Sequence, residues 1–204
     1  MSRNFFVVVL LFFSSMLPAG CDSGPRIAPL DMHAVVLAFG DSLTHGTGAP
    51  DGQSYPEILT GLLGRQVIKA GVPGEVSAAG LKRLPDMLER YQPTLVILCH
   101  GGNDFLRRLD QQETLHNLKA MVELIRAHGA DVVLVGVPKL GFGLEVPKLY
   151  LNIAEEFTIP LEKDILVDLL GDNRMKSDTI HPNATGYQRM AEAIHKTISK
   201  AARK

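Results

Sequence analysis

The chain has 204 residues, of which 46% are hydrophobic and 21% charged, with a formal net charge of −1. That composition is ordinary for a globular protein, and the charge balance offers no basic surface for nucleic acid. The length suffices to bury a substantial core, and two cysteines, Cys21 and Cys99, are too few for a disulfide framework.

The first twenty residues stand apart. Arg3 precedes nine consecutive apolar residues, Phe5 to Phe13, and small residues Ala19-Gly20 precede Cys21. This is the pattern of a secretory signal over residues 1–20, and it is too short to span a bilayer. Leu17-Pro18-Ala19-Gly20-Cys21 resembles a bacterial lipobox, with Pro18 where such boxes usually carry Leu. The expectation is therefore an exported protein of the bacterial cell envelope or periplasm, anchored to the membrane by a lipid on Cys21. Residues 21–33 would be a flexible tether and residues 34–204 a single domain. The alternative is ordinary cleavage that leaves Cys21 free.

After the tether, strands and helices alternate. Val35–Phe39 is an apolar strand ending at Gly40, and Tyr55–Leu63 is a short helix capped by Ser54. Gln66–Ala70 is a second strand. Val76–Tyr91 is helical, with Pro85 either interrupting it or opening a new first turn. Thr94–Cys99 is a fully apolar strand, which makes Cys99 a buried thiol. Leu115, Leu118, Val122 and Ile125 set the helical spacing of Glu113–His128, and Gly129 stops it. Val132–Val137 is a fourth strand, Leu149–Phe157 a helix, Ile165–Leu169 a fifth strand and Ala184–Lys200 a closing helix. Lys139–Lys148 is the longest unassigned stretch, a lid or a long connection. Continuous apolar strands separated by helices predict an α/β fold, a three-layer α/β/α with a central, mainly parallel sheet of about five strands.

In such sheets ligands bind at the carboxyl ends of the strands. Those ends carry Asp41-Ser42, Gly71-Val72-Pro73-Gly74 and Gly101-Gly102-Asn103-Asp104. Near the other end of the chain, Asp178 lies three residues before His181, and Pro182 keeps His181 extended. Serine needs a base to take its proton and a carboxylate to orient that base. Ser42, His181 and Asp178 supply those three groups. Each has a plainer reading: Asp41-Ser42 as a helix cap, Asp178 in a turn before a helix, the glycines as tight turns, Asn103 as an Asx turn. Backbone N–H groups at such glycines, and the Asn103 amide, are also suited to hold an oxyanion.

Four blocks in this order resemble the SGNH (GDSL-type) hydrolases, in their bacterial thioesterase, lysophospholipase and arylesterase branch. Gly40-Asp41-Ser42-Leu43 matches the first block, Ala70 to Ser77 the second, Gly101-Gly102-Asn103-Asp104 the third and Asp178 to Asn183 the last. The resemblance covers about Val35 to Ile198. It implies a flavodoxin-like SGNH hydrolase fold and a catalytic triad of Ser42, Asp178 and His181. It further implies an oxyanion hole of Ser42, Gly74 and Asn103, and substrates that are small or medium acyl esters, lysophospholipids or acyl-thioesters. Lys69 and Glu75 depart from the residues usual at their positions, Asn and Asp. A carbohydrate or peptidoglycan O-acetyl esterase is the alternative within the same four blocks, and a non-catalytic ligand-binding lipoprotein the alternative outside them. No cofactor is implied. His-Glu-x-x-His, cysteine clusters and a P-loop are absent from the sequence, and the remaining histidines lack metal-ligand spacing. Asn183-Ala184-Thr185 fits a glycosylation sequon but reads better as a loop-to-helix junction. The elbow Gly-x-Ser-x-Gly is also absent, which argues against an α/β-hydrolase.

Overall fold

The computed structural model describes residues 24–141 and 143–202, so the expected signal segment and Cys21 lie outside the described residues. The sheet has five parallel strands in the order β2-β1-β3-β4-β5: β1 Val35–Gly40, β2 Gln66–Gly71, β3 Leu95–Cys99, β4 Asp131–Val135 and β5 Leu161–Glu162. The three central strands are covered on both faces, and all of β3 is buried. This is why they read as unbroken apolar runs instead of alternating ones. The edge strand β2 is half exposed and carries Lys69, which pairs with Glu57 at 2.8 Å.

The helices that position the site are α1 Ser42–His45, α3 Ser77–Tyr91, α4 Gly102–Leu106, α5 Gln111–Ala127 and α8 Ala184–Ala201. Tyr55–Leu63 (α2), Lys148–Phe157 (α6) and Ile165–Gly171 (α7) complete the layers. Segment α2 begins with a capping box, Ser54 with Glu57.

Two expectations are corrected. Ile165–Leu169 is not the fifth strand but part of helix α7, and the strand is the two-residue β5 just before it. The buried residues of α7 are Leu166, Leu169 and Leu170, spaced by three and four, so a helical stripe was hidden in a short apolar run. Pro85 neither breaks α3 nor opens a new helix. The helix continues through it, and the missing N–H leaves one carbonyl without its helical donor on a partly exposed face.

The stretch read as a tether is packed for part of its length. Ile27 is buried and donates its N–H to the Ala201 carbonyl, and Ala28 N–H bonds Asp131 Oδ2 at 2.7 Å. Contact with the domain therefore begins at Ile27, before residue 34.

The carboxyl ends of β1 and β3 come together with no room for a side chain. A Cβ on Gly40 would run into the Cys99 carbonyl and the Thr44 hydroxyl, and one on Gly71 into the backbone of α1. Glycine at Gly40 is what lets α1 turn directly off β1. Gly40→Ala is expected to cost about 1–3 kcal/mol of stability through forced backbone displacement. Urea denaturation checks it, and an unchanged midpoint would mean the strand end has slack.

Candidate active site

Helix α1 starts at the end of β1, with Asp41 as its N-cap. Asp41 is 1% exposed and both its oxygens are engaged: Oδ1 accepts from Leu43 N–H at 3.1 Å and Oδ2 from Asn103 Nδ2 at 3.0 Å. Burial pushes its carboxyl up, against the opposing pull of His100, these two hydrogen bonds and His181. Ser42, the first residue of α1, projects its hydroxyl to 2.9 Å from His181 Nε2. His181 Nδ1 lies 2.8 Å from Asp178 Oδ2.

The loop carrying Asp178 and His181 is fastened by its own polar groups. Asp178 Oδ1 accepts from the N–H groups of Ile180 and His181, both at 2.8 Å. Burial alone would raise its carboxyl, but the bonds from His181 and these backbone donors outweigh that and hold it below the usual range. As an ionised acceptor, Asp178 selects the tautomer with hydrogen on Nδ1 and leaves Nε2 to accept from Ser42. Asn183 caps α8 through Gly186 N–H and donates its amide to the carbonyls of Arg174 and Lys176. That amide belongs to the loop, in keeping with a loop-to-helix junction. Tyr187 OH bonds the Thr47 carbonyl at 2.8 Å, tying α8 to the segment that follows α1.

The second and third blocks are locked to each other. Asp104, 2% exposed, accepts from Ser77 N–H, the Ser77 hydroxyl and the Thr114 hydroxyl. It is a loop-fixing carboxylate. Arg107 donates to the Gly74 carbonyl at 2.7 Å. Glu75 receives Arg83 on both oxygens, at 2.9 and 2.7 Å, and His100 Nε2 at 3.2 Å. His100 Nδ1 accepts from Gly101 N–H, so Nε2 carries the hydrogen that faces Glu75. Burial raises the Glu75 carboxyl, but the bonds from His100 and Arg83 and the Arg83 charge win and bring it down to about 2. Arg83 also lies over the Phe39 ring, 4.2 Å from its centre.

The structure thus brings Ser42, Asp178, His181 and Asn103 together. Gly74, at φ 76°, lies on the neighbouring 72–76 loop and does not line the cavity beside Ser42. That cavity, about 210 Å³, is bounded by Ser42, His181 and Asn103 and by apolar Leu43, Phe105, Val137, Leu170 and Ile180. Sequence reasoning missed the hold of Asp41 on Asn103 and the Glu75–Arg83–His100 cluster. Their one sequence signal is a set of charged or titratable residues at strand ends that the triad does not need. Among the described residues no group of His, Cys, Asp and Glu is placed to hold a metal ion.

Residues 38–189 match the model of the GDSL-like lipase/acylhydrolase family. The chain belongs to this family. It is a serine hydrolase acting on ester bonds. An esterase of Pseudomonas aeruginosa, TesA, is 29% identical over 90% of this chain and 97% of its own. The thioesterase 1/protease 1/lysophospholipase L1 of Escherichia coli is 29% identical over 80% of this chain and 82% of its own. A crystal structure of TesA superposes with a TM-score of 0.74 at 29% identity, covering 82% of this chain and 99% of the other.

The Glu75 cluster sets an acid limit on stability. A carboxyl held at about 2 in the fold, against 4.5 when free, contributes stability that is complete above the free value. That contribution is lost as pH falls from about 4.5 towards about 2. Glu75→Gln is expected to be less stable than wild type at pH 7, with the gap closing in acid. Urea midpoints at both ends of that window test it, and a constant gap would reject the assignment.

Proposed function

We propose that Ser42, His181 and Asp178 form the catalytic triad of a carboxylic esterase or thioesterase working through an acyl-enzyme. The observation that carries this is the unbroken hydrogen-bonded series from Ser42 Oγ to His181 Nε2 and from His181 Nδ1 to Asp178. His181 takes the Ser42 proton as Oγ attacks the acyl carbonyl. The resulting imidazolium faces the ionised Asp178 and then protonates the leaving alcohol or thiol. Water, deprotonated by His181, resolves the acyl-enzyme in the same way.

Three donors are available for the oxyanion. Ser42 N–H is a first-turn donor with no carbonyl inside its helix. Asn103 Nδ2 has two hydrogens and gives one to Asp41, leaving the other for substrate. Gly74 is the third that the family resemblance implies; it stands outside the cavity wall, on the 72–76 loop, whose backbone is held by Arg107 and the Ser77–Asp104 anchor. The cavity is smaller than the roughly 300–1,000 Å³ of pockets for drug-sized ligands, which favours short and medium acyl groups, O-acetyl among them.

Ser42→Ala is expected to fold and to lose nearly all hydrolysis of a p-nitrophenyl ester series from acetate to palmitate. Asn103→Ala should lower kcat by roughly 10²–10³ with a smaller effect on KM, since the donor is used mainly in the transition state. Near-wild-type turnover by purified Ser42→Ala would reject the triad, and an unchanged kcat would make Asn103 a loop residue.

The pattern of residues 1–21 supports export and lipid anchoring at Cys21 as a further part of this reading. Cys21→Ser should move the protein from the membrane fraction to the soluble fraction and leave ester turnover unaltered. A wild-type protein whose mature N-terminus carries no lipid by mass spectrometry would overturn the anchor.

A further inference from the structure

Arg108 lines the same cavity as Ser42 and His181. The neighbouring Arg107 is engaged by the Gly74 carbonyl, whereas the Arg108 guanidinium makes no hydrogen bond or ion pair among the described residues. The acids nearby are already occupied. Asp41, the carboxylate on the cavity wall, is buried between Leu43 N–H and Asn103, and Asp110 caps α5 through Gln112 N–H at 2.8 Å. A separate groove on the other side of Leu140 bears Lys139 and Lys148 against a single acid, Glu145. Arg108 is solvent-exposed, so its guanidinium is a hydrated charge without a protein partner among the described residues, at the rim of a cavity whose wall mixes polar and apolar groups.

Its place is set by the end of α4. Arg108 follows the C-cap Arg107 at φ 55°, with its N–H on the Phe105 carbonyl and the Leu109 N–H on the Asp104 carbonyl, so the left-handed turn that stops the helix directs this residue to the cavity. The guanidinium is a planar fork suited to carboxylate and phosphate oxygens.

We propose that Arg108 is a specificity-determining residue that makes this enzyme favour esters bearing a second, anionic group, a carboxylate or a phosphate, close to the scissile bond. The proposal rests on the reading of Ser42 and His181 as the ester-cleaving pair. The charged oxygens accept from the Arg108 guanidinium while the ester carbonyl lies at Ser42 Oγ. No covalent step changes. An anionic ester gains affinity that a neutral one of similar size does not.

The test is a comparison of kcat/KM within matched pairs. One pair places the charge on the acyl side: the p-nitrophenyl half-ester of succinate against p-nitrophenyl pentanoate. The other places it on the alcohol side: butyryl-glycerol phosphate against butyryl-glycerol, read by released butyrate. Wild type should prefer the anionic member of at least one pair by roughly tenfold, the scale of one charge-assisted contact. The responding pair identifies the side that carries the charge. Arg108→Gln and Arg108→Gly should collapse that ratio, and Arg108→Lys should retain part of it. Glycine adopts the left-handed conformation freely, so Arg108→Gly is expected to fold. Raising the salt from about 0.05 to about 0.5 M should shrink the wild-type ratio. Ratios equal in wild type and variants, or both members of a pair slowing in equal proportion, would overturn the proposal. Hydrolysis of the neutral esters with an Arg108-independent ratio overturns this inference alone. A wild-type enzyme that hydrolyses none of the four overturns the triad reading with it.

Discussion

The site depends on one buried carboxylate. Asp41 stands where β1 ends and α1 begins, and its two oxygens face two different elements. One caps the helix that starts with Ser42. The other holds the Asn103 amide on α4, which follows β3. Because β1 and β3 are adjacent parallel strands in register at Gly40 and Cys99, their carboxyl ends lie side by side. A side chain as short as aspartate is then enough to join them. Burial opposes ionisation of Asp41, so the hydrogen bonds it accepts are what make the charged form tolerable there. Removing either donor would leave a buried acceptor unmet, which makes the nucleophile and the amide a coupled unit.

A second layer fixes the 72–76 loop. Asp104 reaches back from α4 to the start of α3, and Glu75 is clamped by Arg83 and His100. Arg83 lies over Phe39 and also contacts the carbonyls of Gly40 and Ala70, at the ends of β1 and β2. Gly80 makes this possible, since a Cβ there would collide with the His100 ring. The three loops after β1, β2 and β3 are thereby cross-linked by partly or fully buried charged groups. None of these groups touches the Ser42 hydroxyl, yet each restricts where an oxyanion donor can be.

The architecture was legible because buried parallel strands leave uninterrupted apolar runs, such as Leu95 to Cys99. Functional residues were legible because strand ends concentrate polar groups and glycines against that apolar background. Elements set by tertiary context were less readable. The edge strand β5 is two residues long and has no periodicity to detect, while the apolar run after it suits strand and helix alike. Pro85 was misleading because its penalty falls on a partly exposed face where the lost bond is cheap. Ile27 looked like tether because a single buried side chain leaves no pattern. The Glu75 cluster was unreadable for a different reason: it joins residues from α3, the 72–76 loop and the end of β3, and pairing across such separations is not encoded in local spacing.

The exposure of the triad bears on how the carboxylate works. The Asp178 side chain is 52% exposed and that of His181 12%. A carboxylate so open to water is well screened, and its Coulombic hold on an imidazolium is weak compared with that of a buried one. Geometry is less sensitive to water. Two backbone N–H bonds fix one Asp178 oxygen; the loop that supplies them is fastened to α8 by Asn183, and α8 is in turn tied to the segment after α1 by Tyr187. Within the proposed mechanism, Asp178 therefore acts more by setting the tautomer and direction of His181 than by its charge. The entropy of holding the imidazole against Ser42 is met in folding, by hydrogen bonds that exist before any substrate arrives.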